Sequence, residues 1–221
     1  MLKKIIKLEN WIYLTILVLP FYLVKIKISF LPTNGLEIII GLVCLLYLLE
    51  KKRWPNLKNY KKYIIFVSLI FLGLGLATFL NSSPLKGLNI IKSWFLEPII
   101  LILIIGSVFP AKKIINIYWT FYISAFLVAS LALGYLFLGK VTYDGRLTAF
   151  FNSPNCLAMY LAPALIMALV EIQEVRNKKR NRKIEMGLFF SLTIILSAFY
   201  FTYSYATWLA VILTVFTLFF F

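Results

Sequence analysis

Histidine is absent from the 221-residue chain, and only 8 residues are acidic. Without an imidazole, a His-based zinc site and a Ser-His or Cys-His nucleophile pair are both excluded within these residues. Cysteine occurs twice, Cys44 inside one apolar run and Cys156 at the start of another, so there is neither a disulfide framework nor metal-ligand spacing, and no cofactor motif accompanies them. Charge of either sign is scarce. Charged residues make up 14% and hydrophobic residues 62%, against about 25% and 45–50% in ordinary globular chains. Too few polar side chains remain to coat a water-soluble globule, so composition points to an all-α, polytopic membrane protein.

What charge exists is mostly basic, with 23 Lys+Arg and a formal net charge of +15. The cations sit between apolar blocks, where cytoplasmic loops and anionic lipid favour them. Membrane lipids are therefore the expected partners, and nucleic acid is not. Uninterrupted apolar length gives about eight transmembrane helices: Leu8 to Val24, Leu36 to Leu49, Tyr63 to Leu80, Ser93 to Phe109, Ile114 to Leu138, Phe150 to Val170, Met186 to Phe201 and Trp208 to Phe221. Phe21, Tyr22, Leu23 and Lys25 follow the first of these with no small-residue cleavage pattern, so it reads as a retained span. Alternate connections carry seventeen basic residues on one side and six on the other, which predicts a cytoplasmic N-terminus. The opposite face then holds four connections, Lys25 to Gly35, Asn81 to Lys92, Gly139 to Ala149 and Thr202 to Thr207. No repeat or soluble domain is visible. The final span is shorter than the roughly 20 residues needed to cross, and it would leave a carboxylate in hydrocarbon. The chain is accordingly expected to be the N-terminal part of a longer protein.

Three clusters lie at outward ends of spans, where ionisable groups need a partner or a purpose. The first runs from Tyr143 through Asp144, Gly145 and Arg146 to Asn152, Ser153, Pro154 and Asn155. Asn152 or Ser153 suits a helix N-cap and Pro154 the first turn. The amino end of that helix, with its free N–H groups and partial positive charge, lies beside the Arg146 guanidinium, a combination suited to a phosphate or diphosphate. The alternative is that Arg146 pairs with Asp144 and anchors the loop to lipid phosphates. The second cluster is Lys92 to Pro98. Glu97 reads as the only acid well inside a predicted span, with Lys92 or Arg146 as its partner; alternatively it joins two helices or lies at shallower depth. The third is Thr202 to Trp208, a polar and aromatic turn fit for the membrane interface. Pro20 and Pro163 are expected to kink their spans, and the Arg176 to Lys183 run to set topology.

The stretch from Arg146 to Ala158 resembles the arginine plus Phe-x-Asn-x-Pro-Asn pattern of the O-antigen ligase and O-antigen polymerase family. Thr202 to Trp208 resembles that family's second signature, commonly Ser-Arg-Gly-Ala-Trp. The resemblance divides the chain into N-terminal helices at 1–138 and the start of the ligase-related membrane domain at 139–221. It implies a bacterial inner-membrane glycosyltransferase of roughly twelve spans. Such an enzyme moves glycan from an undecaprenyl-diphosphate carrier to a hydroxyl acceptor at the outer face, without metal. Arg146 matches the family's first diphosphate-gripping arginine, with Asn152 and Asn155 in the same motif. The second arginine falls at Tyr205, leaving Lys140, Lys92 and Glu97 as supporting groups, and the family's histidine-bearing loop would lie beyond Phe221. No catalytic residue is thus expected among these 221, and the chain alone is expected to be inactive. The rival readings are half of a secondary transporter or lipid-carrier flippase, with binding groups on broken helices at mid-depth, and a non-catalytic membrane subunit.

Overall fold

A computed structural model describes residues 7–28, 31–51, 61–80, 83–177 and 182–220. They form eight helices: α1 Leu8–Leu17, α2 Gly35–Lys51, α3 Lys61–Leu80, α4 Pro84–Val108, α5 Ala111–Phe137, α6 Pro154–Asn177, α7 Arg182–Tyr200 and α8 Tyr205–Phe220. Helices α3 to α7 are long and apolar enough to cross a membrane, and α8 is a shorter apolar helix. This is a multi-pass helical membrane protein. The chain divides into two compact units, Met1–Ile117 and Tyr118–Phe221.

In the first unit the expected opening span is not one helix. After α1 the chain tightens into a 3-10 turn, Leu19–Leu23, with Pro20 in its first positions; proline has no N–H to continue an α-helical ladder. An antiparallel ribbon follows, β1 Lys25–Ile28 against β2 Leu31–Asn34, in the register Lys25↔Asn34. The alternation Lys-Ile-Lys-Ile is a period-2 signal for a strand, whereas the other described elements are helical, as the all-α reading expects. Asn34 Oδ1 accepts the Glu37 N–H at 2.9 Å, and Asn34 Nδ2 donates to Glu37 Oε1 at 2.8 Å. Together these close the start of α2 in a variant of the capping box.

The connection expected at Asn81 to Lys92 is also corrected. Helix α4 begins at Pro84, whose fixed φ suits a first turn, so Lys86 and Lys92 lie on the helix. Ile91–Leu96 is wound as a π-turn, with the Glu97 N–H donating to the Lys92 carbonyl five residues back. Pro98 has no N–H for the usual bond, and the widened turn lies directly before it. Gly87 allows α3 to approach α4, since a Cβ there would lie 2.7 Å from the Thr78 side chain.

The second unit is held by small residues and hydroxyl pairs. On α5, Ser124, Ala125, Val128, Ala129 and Ala132 are buried, and on α6 so are Leu157, Leu161, Ala164, Leu165 and Ala168. Small side chains let helix backbones approach closely in a solvent where apolar transfer alone cannot drive association. The Ser124 and Tyr160 hydroxyls join α5 to α6 at 2.8 Å, and those of Tyr122 and Ser191 join α5 to α7 at 2.6 Å. Helix α6 continues through Pro163.

A candidate anion cleft at two helix amino ends

In the second unit, α5 ends in a turn through Gly139, whose φ of +69° is left-handed. The chain from there to α6 is irregular and organised around Arg146. Gly145, with φ of +74°, lets the backbone reverse so that its N–H donates to the Thr142 carbonyl at 2.9 Å, while the Thr142 N–H donates to the Arg146 carbonyl at 3.0 Å. The next residue locks the segment onto α7, the Leu147 N–H donating to the Phe201 carbonyl at 2.8 Å. Leu147 is fully buried, so the position of Arg146 is set from both sides.

The guanidinium spans the two motifs. Arg146 Nε donates to the Thr202 carbonyl at 2.8 Å, and Nη2 donates to Asn155 Oδ1 at 2.9 Å. Its third nitrogen, Nη1, lies 3.9 Å from Asp144 Oδ2. Asp144 also accepts a hydrogen bond from the Thr142 hydroxyl, which accepts the Arg146 N–H at 3.0 Å. That hydroxyl bond above all, with smaller help from backbone N–H groups and the Arg146 charge, holds the Asp144 carboxyl below its ordinary value. Two of the five guanidinium donors are therefore spent on protein acceptors. The Nη1 edge and the second Nη2 hydrogen remain for a ligand or for Asp144.

Asp144, Arg146, Asn155, Tyr203, Ser204, Tyr205 and Ala206 line an open cleft of about 610 Å³. Asn155 sits in the first turn of α6, where Ser153 is the N-cap and its Oγ accepts the Cys156 N–H at 3.3 Å. Tyr205 and Ala206 open α8, where the Ser204 carbonyl accepts the first helical bond, from Trp208, at 2.9 Å. Two helix amino ends thus border the cavity beside one guanidinium. Each brings unpaired N–H groups and about half a positive charge. The pattern around Arg146 pointed to the first helix end; the second came only from the fold, because Thr202 to Trp208 reads locally as an interface turn.

The other expected residues lie elsewhere. Asn152 is exposed and does not line the cleft. Lys140 stands in the turn after α5 with its ammonium 5.5 Å from the Tyr135 ring centre. In the first unit, Lys92 gives its Nζ to Glu37 Oε2 at 2.7 Å, and the Ser93 hydroxyl donates to Glu37 Oε1. Lys92 is thus hydrogen-bonded to Glu37, while its charge also acts on Glu97, the partner expected for it. Glu37 is only 8% exposed, so Glu97 is not the sole acid drawn into the helical body. The signal that could have found it is Asn34-x-x-Glu37, an asparagine cap with an acid three residues on. Among the described residues no three Cys, Asp or Glu side chains gather as a metal site would require. No known protein family, curated protein or solved structure matches the chain.

Proposed function

We propose that this chain belongs to a membrane glycosyltransferase of the O-antigen ligase and polymerase kind, and that its cleft receives the diphosphate of an undecaprenyl-diphosphate-linked glycan. One observation carries the reading. Arg146 and the Thr202–Trp208 turn, the two segments that resemble that family's signatures, are hydrogen-bonded to each other at 2.8 Å and share one cleft. A guanidinium edge beside two helix amino ends offers fixed donors and positive potential to an anion, and each charge-assisted hydrogen bond to it contributes about 1.5–3 kcal/mol. In this reading the chain lies in a bacterial inner membrane and crosses it eight times, with α1 together with the 3-10 turn Leu19–Leu23, α2 and α8 as the shorter passes. The N-terminus is cytoplasmic and the cleft opens at the outer leaflet, where the glycan carrier presents its head group. Asn155 orients the arginine.

Two measurements test it. Purified chain in lipid nanodiscs is titrated with inorganic pyrophosphate and undecaprenyl diphosphate; saturable binding to both is expected, and binding to neither refutes the proposal. Sidedness is read with Tyr143→Cys in a background lacking Cys44 and Cys156, because Tyr143 is fully exposed. Labelling of intact cells by a membrane-impermeant thiol reagent is expected, and labelling only after lysis would remove the enzymatic reading.

A further inference from the structure

We infer that Tyr203 and Tyr205 form a seat for the sugar ring attached to the phosphate at Arg146, an inference that rests on the diphosphate reading above. The first ground is size. The cleft, at about 610 Å³, falls within the roughly 300–1,000 Å³ of small-molecule sites, so a phosphate group fills only part of it. The rest of the wall beyond Arg146 and Asn155 is built from Tyr203, Ser204, Tyr205 and Ala206.

The second ground is strain. Tyr203 has a φ of +47°, in the left-handed region where a bulky side chain is strained and where glycine or asparagine would sit with little penalty. The position follows the end of α7, where glycine is the usual occupant. A tyrosine there places a ring on the cleft wall that glycine could not supply. The third ground is support. Trp208 backs both tyrosines, its ring centre 6.4 Å from that of Tyr203 and 5.7 Å from that of Tyr205, and it is itself stacked on Tyr200 at 5.4 Å. Rings held in this way lose little freedom when a ligand arrives. A pyranose has a face of C–H groups that packs against the electron-rich face of an aromatic ring, and in a glycosyl diphosphate that ring lies one bond from the phosphate.

The test uses the chain in nanodiscs with three probes: inorganic pyrophosphate, undecaprenyl diphosphate, and undecaprenyl diphosphate carrying one hexose. The wild type is expected to bind the glycosylated lipid about tenfold more tightly than the bare lipid. Tyr203→Asn, which fits the left-handed backbone, is expected to abolish that preference while leaving pyrophosphate binding within about twofold and the thermal midpoint unchanged or higher. Tyr203→Phe, which keeps the ring, should retain the preference. A preference that survives in Tyr203→Asn overturns the inference, as does a parallel loss of pyrophosphate binding, which would make the ring only a part of the turn. A wild type that binds pyrophosphate and bare lipid without favouring the sugar overturns the stacking seat alone. A wild type that binds no probe removes the diphosphate reading and this inference together.

Discussion

Replacing Arg146 with lysine tests the centre of the arrangement, because it keeps the charge and removes the fork. In the folded protein Nε reaches the Thr202 carbonyl at 2.8 Å and Nη2 reaches Asn155 Oδ1 at 2.9 Å. A single ammonium cannot reproduce both of these directed bonds and still offer an edge to the cleft. Thr202 is completely buried, so losing its guanidinium partner leaves a carbonyl that water does not reach. Hydrogen bonds to a charged group contribute about 1.5–3 kcal/mol each, and lysine recovers roughly one of the two, for a net loss of about 1.5–3 kcal/mol. The 3.9 Å approach to the exposed Asp144 adds little. On the scaling for chains of 150–250 residues, the thermal midpoint should fall by roughly 3–12 °C. Tryptophan fluorescence during heating in detergent reads this directly, since Trp208 lies within the affected turn. Pyrophosphate binding should weaken by about tenfold or more. A variant that melts with the wild type and binds as well would refute the claim that Arg146 joins the two segments and presents the site.

In the first unit, Gly87→Ala should destabilise by about 1–3 kcal/mol, because the new methyl would lie 2.7 Å from Thr78; an unchanged denaturation midpoint would mean that α3 and α4 do not approach so closely. Lys92→Met leaves the buried Glu37 carboxylate without its cation and should cost about 3–5 kcal/mol, whereas the double variant with Glu37→Gln should cost less, a sign reversal that a double-mutant cycle measures. Because the Asp144 carboxyl is held below its ordinary value of 3.8, the wild type keeps that stabilisation above this pH and loses it as pH falls further, through the lowered value. Asp144→Asn should lack this acid-side step in a melting series. Tyr205→Arg should raise pyrophosphate affinity about tenfold while costing about 0.3–1 kcal/mol of stability, since it puts a cation at the amino end of α8; titration and melting of one sample check both signs.

Helical class, apolar length and the grouping around Arg146 were legible because each depends on neighbours in sequence. The run from Ser153 to Cys156 announces a capped helix, and Ser153 does cap it. The pairing of Lys92 with Glu37 was not legible. Fifty-five residues separate them, and the π-turn that includes Lys92 and Ser93 changes the side-chain angles that a 3.6-residue period predicts. The ribbon from Lys25 to Asn34 was missed for a different reason. In a strongly apolar chain the length of each block dominates the reading, and a four-residue alternation disappears between blocks. The joining of Arg146 to Thr202 lay in between, since resemblance to one family grouped the two segments while their contact depended on how α6, α7 and α8 pack.

The distribution of backbone strain points to the same region by an independent route. Among the described residues the left-handed positions are Gly139, Gly145, Ala149 and Tyr203. All four fall in the two connections that meet at Arg146. The glycines occupy that region at little cost, whereas alanine and tyrosine pay about 1–3 kcal/mol each. Elsewhere the second unit follows local rules, with small residues at helix contacts and hydroxyls paired across them. Local rules broken in one place, over a well-satisfied scaffold, are expected where a surface is shaped for a ligand. Backbone strain of this kind is independent of any family resemblance: if Ala149→Gly and Tyr203→Gly both stabilise the fold, the native residues at those positions are retained for something other than stability.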